Sequence, residues 1–413
     1  MGISEILTFT IVLAAVFAYV NHRIIKWPPT IGIMVLSLGC SVVIVIAGQF
    51  YPLLGIKAKQ LAASVNFSDL LMNFMLSFLL FAGAIHIDAS KLKKEAWPVL
   101  LLSTLGILIS TTLVGGMMWE IFRLFNFPIP IIYCLLFGAV ISPTDPIAVL
   151  AILREAKIPS SLDVKISGES LFNDGVAVVV FVTLLDAAHS GVSAIDFLSV
   201  GKLFLIEAVG GLLFGALLGY AGYFALRSID DYKVEVLVTL AIVAGGYFIA
   251  GHLHVSGPLA MVVAGIITGN KVKHEVLSET SRDYLGKFWE LIDEILNAVL
   301  FLLIGLEMLV IKTNLTILLV GIVGIFITLF ARWVSVLLPI TLLRFWIKFE
   351  RHAVAILTWG GLRGGLSVAL ALSLSPEMHR DEFVLITYVI VVYSILIQGL
   401  TIGGFTRRLI KKD

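Results

Sequence analysis

Long apolar runs alternate with short polar connectors along the whole chain. A helix needs about 20 apolar residues to cross roughly 30 Å of hydrocarbon. Thirteen stretches reach or approach that length: 4–21, 30–48, 68–87, 97–121, 129–153, 163–187, 197–226, 233–252, 256–270, 284–310, 315–343, 351–374 and 382–405. The ninth is short, and the tenth opens with an amphipathic, charged stretch. The pattern predicts an all-α polytopic membrane protein. Two spans carry interruptions. The fifth contains Pro143-Thr144-Asp145-Pro146, and the twelfth contains Gly360-Gly361-Leu362-Arg363-Gly364-Gly365. Proline removes backbone donors where no water replaces them, and glycine lets a chain unwind or pack closely. Both spans therefore read as broken helices.

Charge placement fixes an expected topology. With the N-terminus outside, 21 of the 29 lysines and arginines fall in connectors and span ends that would face the cytoplasm. Six fall on the other side, and Arg332 and Arg363 lie deep inside spans. That bias predicts N-out, C-in and an odd number of crossings. The two interruptions lie seven spans apart, so their helices enter the membrane in opposite directions. Spans 1–6 and 8–13, with the seventh between, would then form an inverted repeat. Paired interruptions at matching positions of two halves point to a transporter's binding site.

Composition agrees. The chain is 59% hydrophobic and 14% charged, with a mean hydropathy of +1.04. Soluble domains run about 45–50% apolar and about 25% charged, so the 413 residues read as one integral membrane domain with no soluble regulatory domain. A net charge of +1 gives no reason to expect nucleic acid. Cys40 and Cys134 each sit in an apolar run and read as small core residues, not as a disulfide or metal pair. The first run, Ile6 to Val20, has neither a basic leader nor a small-residue cleavage site, and reads as a retained helix.

Three carboxylates fall at membrane depth in two adjacent spans: Asp145, Glu169 and Asp174. Each costs roughly 2.5–3.5 kcal/mol at a helix centre on insertion scales, so they read as an ion or proton site built on a broken helix. In the sixth span, Glu169 and Asn173 are i,i+4 neighbours, as are Ser170 and Asp174, so all four fall near one face. Asp174 and Ser170 offer hard oxygens to a small hard cation. An unwound fifth span would add the Thr144 carbonyl and hydroxyl and the Asp145 carboxylate. Structural roles compete with these. Asp145 before Pro146 fits an N-cap with proline at the first helical position. Asn173 fits interhelical glue. Glu169 fits a buried ion pair, with Arg332 the first-choice partner and Arg363 the second, and Arg363 could simply hold the broken twelfth span together. Asp174 has no comparable structural excuse. Among the rest, Asp88, Glu155 and Asp163 fall at span ends, and His252 and His254 flank a short outer loop. Glu207 and Glu307 lie deeper. Asp293, Glu294 and Asn297 on the polar stripe of the tenth span read as a solvated face, with a cation-attracting funnel the alternative.

Ser142-Pro143-Thr144-Asp145-Pro146 on one span and Gly168-Glu169-Ser170-x-x-Asn173-Asp174-Gly175 on the next resemble the NhaP and NHE branch of monovalent cation/proton antiporters. Gly360-Gly361-Leu362-Arg363-Gly364 and Ala331-Arg332 match further landmarks, and the resemblance covers essentially the whole membrane region. It implies thirteen helices, with a core of helices 4–6 and 11–13 (about 97–187 and 315–405). The rest (about 4–87 and 197–310) would form a scaffold through which two copies dimerise. It implies that Asp174 carries ion and proton in turn, with Ser170 and Thr144 contributing ligands. Asp145 and Asn173 would steady the unwound helix, and Glu169 would pair with Arg332. Asparagine stands at 173 where electrogenic relatives carry a second aspartate, which implies electroneutral one-for-one exchange. Two departures stand out. Leu80-Phe81-Ala82-Gly83 lacks the carboxylate that many relatives carry there, and the long cytoplasmic tail of many relatives does not follow Arg407-Arg408.

The expectation is therefore a secondary antiporter of the inner cell membrane. It would exchange Na+ or Li+ for H+ in pH homeostasis, with no cofactor beyond its transported ions. A K+/H+ antiporter would use the same residues with a looser cavity. A channel would need a continuous pore with repeated rings of ligands, and the chain offers one compact cluster. No metal-spacing motif, nucleotide loop or nucleophile with a plausible base points to an enzyme.

Overall fold

The computed structural model describes residues 3–63, 66–145, 147–155, 158–189, 197–272, 275–312 and 314–410. Every regular element among them is helical. In chain order the main helices are α1 (Ile3–Val20), α2 (Pro29–Phe50), α3 (Pro52–Ala63), α4 (Leu76–Ile85), α5 (Leu105–Leu124) and α6 (Ile131–Ile141). There follow α7 (Ile147–Glu155), α8 (Ser160–His189), α9 (Phe197–Leu226), α10 (Tyr232–His252), α11 (Gly257–Ile267) and α12 (Glu279–Glu307). The chain closes with α13 (Leu315–Leu343), α14 (Ala353–Trp359), α15 (Gly365–Ser373), α16 (Arg380–Tyr393) and α17 (Leu400–Ile410). Nine helices among the described residues are long and apolar enough to cross a membrane, and Ile131–Ile141 and Gly257–Val272 are shorter apolar helices. The protein is a multi-pass membrane protein.

Local chemistry sets the helix starts. Ser278 accepts a bond from the Ser281 amide before α12, and Asn314 accepts from the Thr316 and Ile317 amides before α13. Such caps contribute about 1 kcal/mol each by satisfying amides that have no partner inside the helix. The Ser278 cap starts α12 five residues before the predicted boundary of 284, because its first turns are polar. α3 was not anticipated: its mixed apolar and lysine pattern is too short and too polar to span.

Two packing groups emerge. α5, α6, α8, α13, α15 and α16 pack on one another, with α14 against α13. α1, α2, α4, α9, α10, α11 and α12 form the second set. The groups meet where α8 crosses α9 and α11, and where α12 crosses α15. Both predicted interruptions are open backbone. Residues 142–145 separate α6 from α7, and residues 360–364 separate α14 from α15. Pro146 lies outside the described residues. The two open segments cross inside the first group, and the Asp145 amide donates to the Leu362 carbonyl at 2.8 Å.

Candidate functional site

The crossing is held by side chains because open backbone in an apolar interior leaves amides and carbonyls that need partners. The guanidinium of Arg363 is 2% exposed and donates to the Ser142 and Pro143 carbonyls of the other break. Its own amide donates to Ser394 Oγ at 3.0 Å. Ser394 in turn donates to Gln398, which donates to the Trp359 carbonyl. Ser142 Oγ lies between Gly138 O, Ser110 Oγ and Thr111 Oγ1. Two glycines of the second break sit where a side chain would collide. A Cβ on Gly364 would lie 2.5 Å from Asp145 Oδ2, and one on Gly361 would lie 2.5 Å from Arg332 Nε.

α8 runs past the crossing and turns Glu169, Ser170 and Asn173 toward it. Glu169 and Arg332 of α13 form a two-pronged pair, Nη1 to Oε1 at 2.7 Å and Nη2 to Oε2 at 2.8 Å, with both residues buried. Arg332 also donates to the Leu357 carbonyl at the end of α14. Asn173 is fully buried and uses both ends of its amide. Nδ2 donates to Thr144 Oγ1 at 2.6 Å and to Glu169 Oε1 at 3.0 Å, and Oδ1 accepts from the Thr144 amide at 3.3 Å. The Ser170 hydroxyl donates to the Thr144 carbonyl. That carbonyl is therefore not free, as the sequence alone suggested. It is bonded to the hydroxyl expected beside it as a ligand.

A small cavity opens here, lined by Thr144, Asp145, Glu169, Ser170 and Arg332 with apolar neighbours. Asp174 does not line it. Asp174 sits one turn further along α8, half-buried, next to Gly175, which lies against Leu259 of α11. No hydrogen bond or ion pair to Asp174 is found among the described residues, while Asp145 and Glu169 act on it electrostatically. Of the eight residues singled out from sequence, seven share one connected set of contacts, and Asp174 stands at its edge. Asp145 enters the set through its backbone amide and by packing on Gly364.

Other polar residues lie elsewhere. Glu207 and Glu307 are half-buried but do not line this cavity. Asp88 caps the short helix Ala89–Lys94, and Asp163 pairs with Arg154 at 3.0 Å. One cluster escaped sequence reasoning. Lys165 is 1% exposed and contacts Glu350 at 3.1 Å and Glu95 at 3.4 Å, with its ammonium over the Phe349 ring. The only sequence signal was a lysine placed inside a predicted span. Burial alone would push the Glu350 carboxyl up. Hydrogen bonds from Ser161, its own backbone and Lys165, together with the Lys165 charge, more than offset that and hold it below its ordinary value.

Comparison with known proteins identifies the family. The family described as "Sodium/hydrogen exchanger, transmembrane" matches residues 11–408. The Na(+)/H(+) antiporter NhaP of Pseudomonas aeruginosa is 47% identical over 404 residues, 97% of this chain and 95% of the relative. The Na(+)/H(+) antiporter NhaH of Halobacillus dabanensis is 32% identical, over 94% of this chain and 93% of the relative. The solved structure of the sodium proton antiporter MjNhaP1 from Methanocaldococcus jannaschii superposes with a TM-score of 0.75, covering 97% of this chain and 96% of that one, at 20% identity. That likeness is one of fold. The chain belongs to the sodium/hydrogen exchanger family of transmembrane proteins.

Proposed function

We propose that this protein is a sodium/proton antiporter in which Asp174 carries either a proton or a sodium ion, one at a time. One observation carries the assignment: on the same helix Glu169 is locked to Arg332, while no fixed partner holds Asp174 among the described residues. A carboxylate at membrane depth is stabilised by whatever neutralises it, so proton and cation compete for it. Thr144 and Ser170 would supply further oxygens once their mutual hydrogen bond opens. Asp145, Asn173, Glu169, Arg332 and Arg363 would hold the crossed breaks in register.

The two packing groups support a division into a core (about 97–187 and 315–405) and a scaffold (about 4–87 and 197–310). Sliding of one on the other would give alternating access. Thirteen crossings with the N-terminus outside and the C-terminus in the cytoplasm fit the lysine and arginine bias. Dimerisation through the scaffold and residence in the inner membrane complete the reading. Reconstituted protein, challenged with sodium, lithium and potassium gradients, tests it. Sodium- and lithium-driven proton movement is expected. Potassium alone driving protons would assign the site to potassium, and uncoupled ion flux would assign a channel.

A further inference from the structure

A second cavity borders the crossed breaks and shares only Arg332 with the one beside Thr144 and Ser170. Thr328 of α13, Thr358 of α14, Arg363 of the second break, Tyr393 of α16 and Gln398 line it, with apolar neighbours. Three of these side chains carry a buried polar atom with no partner among the described residues: Thr328 Oγ1, Thr358 Oγ1 and Arg363 Nη2. Arg363 uses Nη1 for both the Ser142 and Pro143 carbonyls, so Nη2 is the end left over.

The threonines are informative because a helix offers them a partner at hand, the carbonyl one turn back. Thr341 of α13 donates to the Leu337 carbonyl at 2.9 Å, and Thr183 of α8 to the Val179 carbonyl at 2.7 Å. Thr328, on the same helix as Thr341, makes no such bond, and neither does Thr358. Two other polar groups on the wall are committed elsewhere. Arg332 is bonded to Glu169 and to the Leu357 carbonyl. Gln398 accepts from Ser394 and donates to the Trp359 carbonyl. Buried polar atoms are nearly always bonded to protein or to ordered water, so three without a partner on one cavity point to an occupant.

The guanidinium can only donate, whereas a hydroxyl can donate or accept. An occupant that satisfies all three must therefore accept from Arg363 and bond either way with the threonines. The cavity leaves about 10 Å³ for the centre of such a molecule, near the least that one water needs, and a buried water takes about two to four polar partners. A chloride ion is larger and would carry a bare charge into an apolar interior. We propose that this cavity binds one ordered water, which completes the bonding of Arg363 and ties α13 and α14 to the crossed breaks. Thr328 and Thr358 are then positioning residues, acting through the water on the arginine that holds the first break. The site lies outside the set of oxygens offered to the transported ion.

A density map of the unaltered protein, fine enough to show ordered waters, tests the site directly. One peak should lie within hydrogen-bond distance of Arg363 Nη2 and of at least one threonine hydroxyl. No peak there would overturn the proposal, and so would a peak that strengthens when bromide replaces chloride, which would make it an anion site. Thr328→Leu fills the cavity. The peak should vanish, and sodium-driven proton movement should slow about fivefold, the low end of what an unsatisfied buried donor costs. Thr328→Ser keeps the hydroxyl and should keep both the peak and the rate. Thr358→Val removes a hydroxyl at nearly constant volume and should slow exchange by less, which keeps the test open if Thr328→Leu fails to fold. Unaltered exchange in Thr328→Leu and Thr358→Val, or equal slowing by Thr328→Ser and Thr328→Leu, would overturn the positioning role. The map reads the site whichever ion is carried, so a failure of the antiport reading would leave the water standing.

Discussion

Replacing Glu169 by glutamine removes one charge from a pair that neither lipid nor water can compensate. Arg332 would keep only the Leu357 carbonyl, at 3.2 and 3.3 Å. The new amide would point a donor at a guanidinium that offers only donors. Removing one member of a buried pair costs about 3–5 kcal/mol. Arg332→Gln strands the carboxylate instead, leaving it the Asn173 Nδ2 bond at 3.0 Å and little else within the cluster. It should cost the same or more. Independent effects would sum to about 6–10 kcal/mol, but the double variant buries no unpaired charge. Its loss should fall short of the sum by about 2 kcal/mol or more, within the range seen for directly contacting residues. The measurement is apparent melting temperature of the four proteins in one detergent at one scan rate, because membrane proteins unfold irreversibly and the temperature depends on that rate. A double variant whose drop equals the sum of the singles would refute the coupling and return Arg363 as the partner to test.

Asp174→Asn should abolish sodium-driven proton movement while leaving the melting temperature within a few degrees, because it keeps volume and removes only the charge proposed to carry ion and proton; full exchange in reconstituted vesicles would end the assignment. Gly364→Ala should cost about 1–3 kcal/mol, the range for overpacking, and should slow exchange more than Gly116→Ala. The added methyl at 364 meets Asp145, whereas a Cβ at 116 meets nothing within 4 Å. Similar rates for the two would show that the Gly364 contact is unimportant. Lys165→Met should destabilise the fold near neutral pH, and the loss should shrink in acid. Glu350 is held below its ordinary value of 4.5, so its contribution is present above that pH and fades as pH falls through the lower folded value. A stability gap that widens in acid would contradict the cluster.

Much of the fold was legible because the bilayer imposes one rule, that backbone polar groups be satisfied within helices or inside the protein. Pro143 and the glycines at 360, 361, 364 and 365 could not sit in a lipid-facing helix, so their positions marked the two open segments. What sequence could not give was how those segments meet. The Asp145 amide on the Leu362 carbonyl, and Arg363 on the Ser142 and Pro143 carbonyls, join residues more than 200 positions apart through groups that every chain has. The Ser170 hydroxyl on Thr144 was hidden for a related reason. Both were expected as ligands to the same ion, and nothing in their spacing says that they bond each other. Lys165 drew no reading of its own because a lysine near a span end is normally solvated. Only the approach of Glu95 and Glu350 from two other segments buries it. Asn297 was set aside as part of a solvated stripe, yet it is 3% exposed.

The charges around the crossing favour electroneutral exchange more directly than the Asn173-Asp174 order alone. Arg332 and Arg363 contribute two positive charges, and Glu169 and Asp145 two negative ones, so the fixed groups cancel without Asp174. That leaves one carboxylate to be neutralised by cargo. On the proposed mechanism, a proton or a sodium ion would bring the cluster to the same net charge, so the core would cross the hydrocarbon equally neutral in either direction and avoid carrying a bare charge through it. The rate should then be insensitive to a potential imposed with potassium and valinomycin. Were Asp145 to titrate as well, one arginine would lose its counterpart. Exchange would accelerate with voltage in the sense expected for two protons per sodium. Asp145→Asn would then abolish the voltage response, and that result would sink the one-carboxylate mechanism.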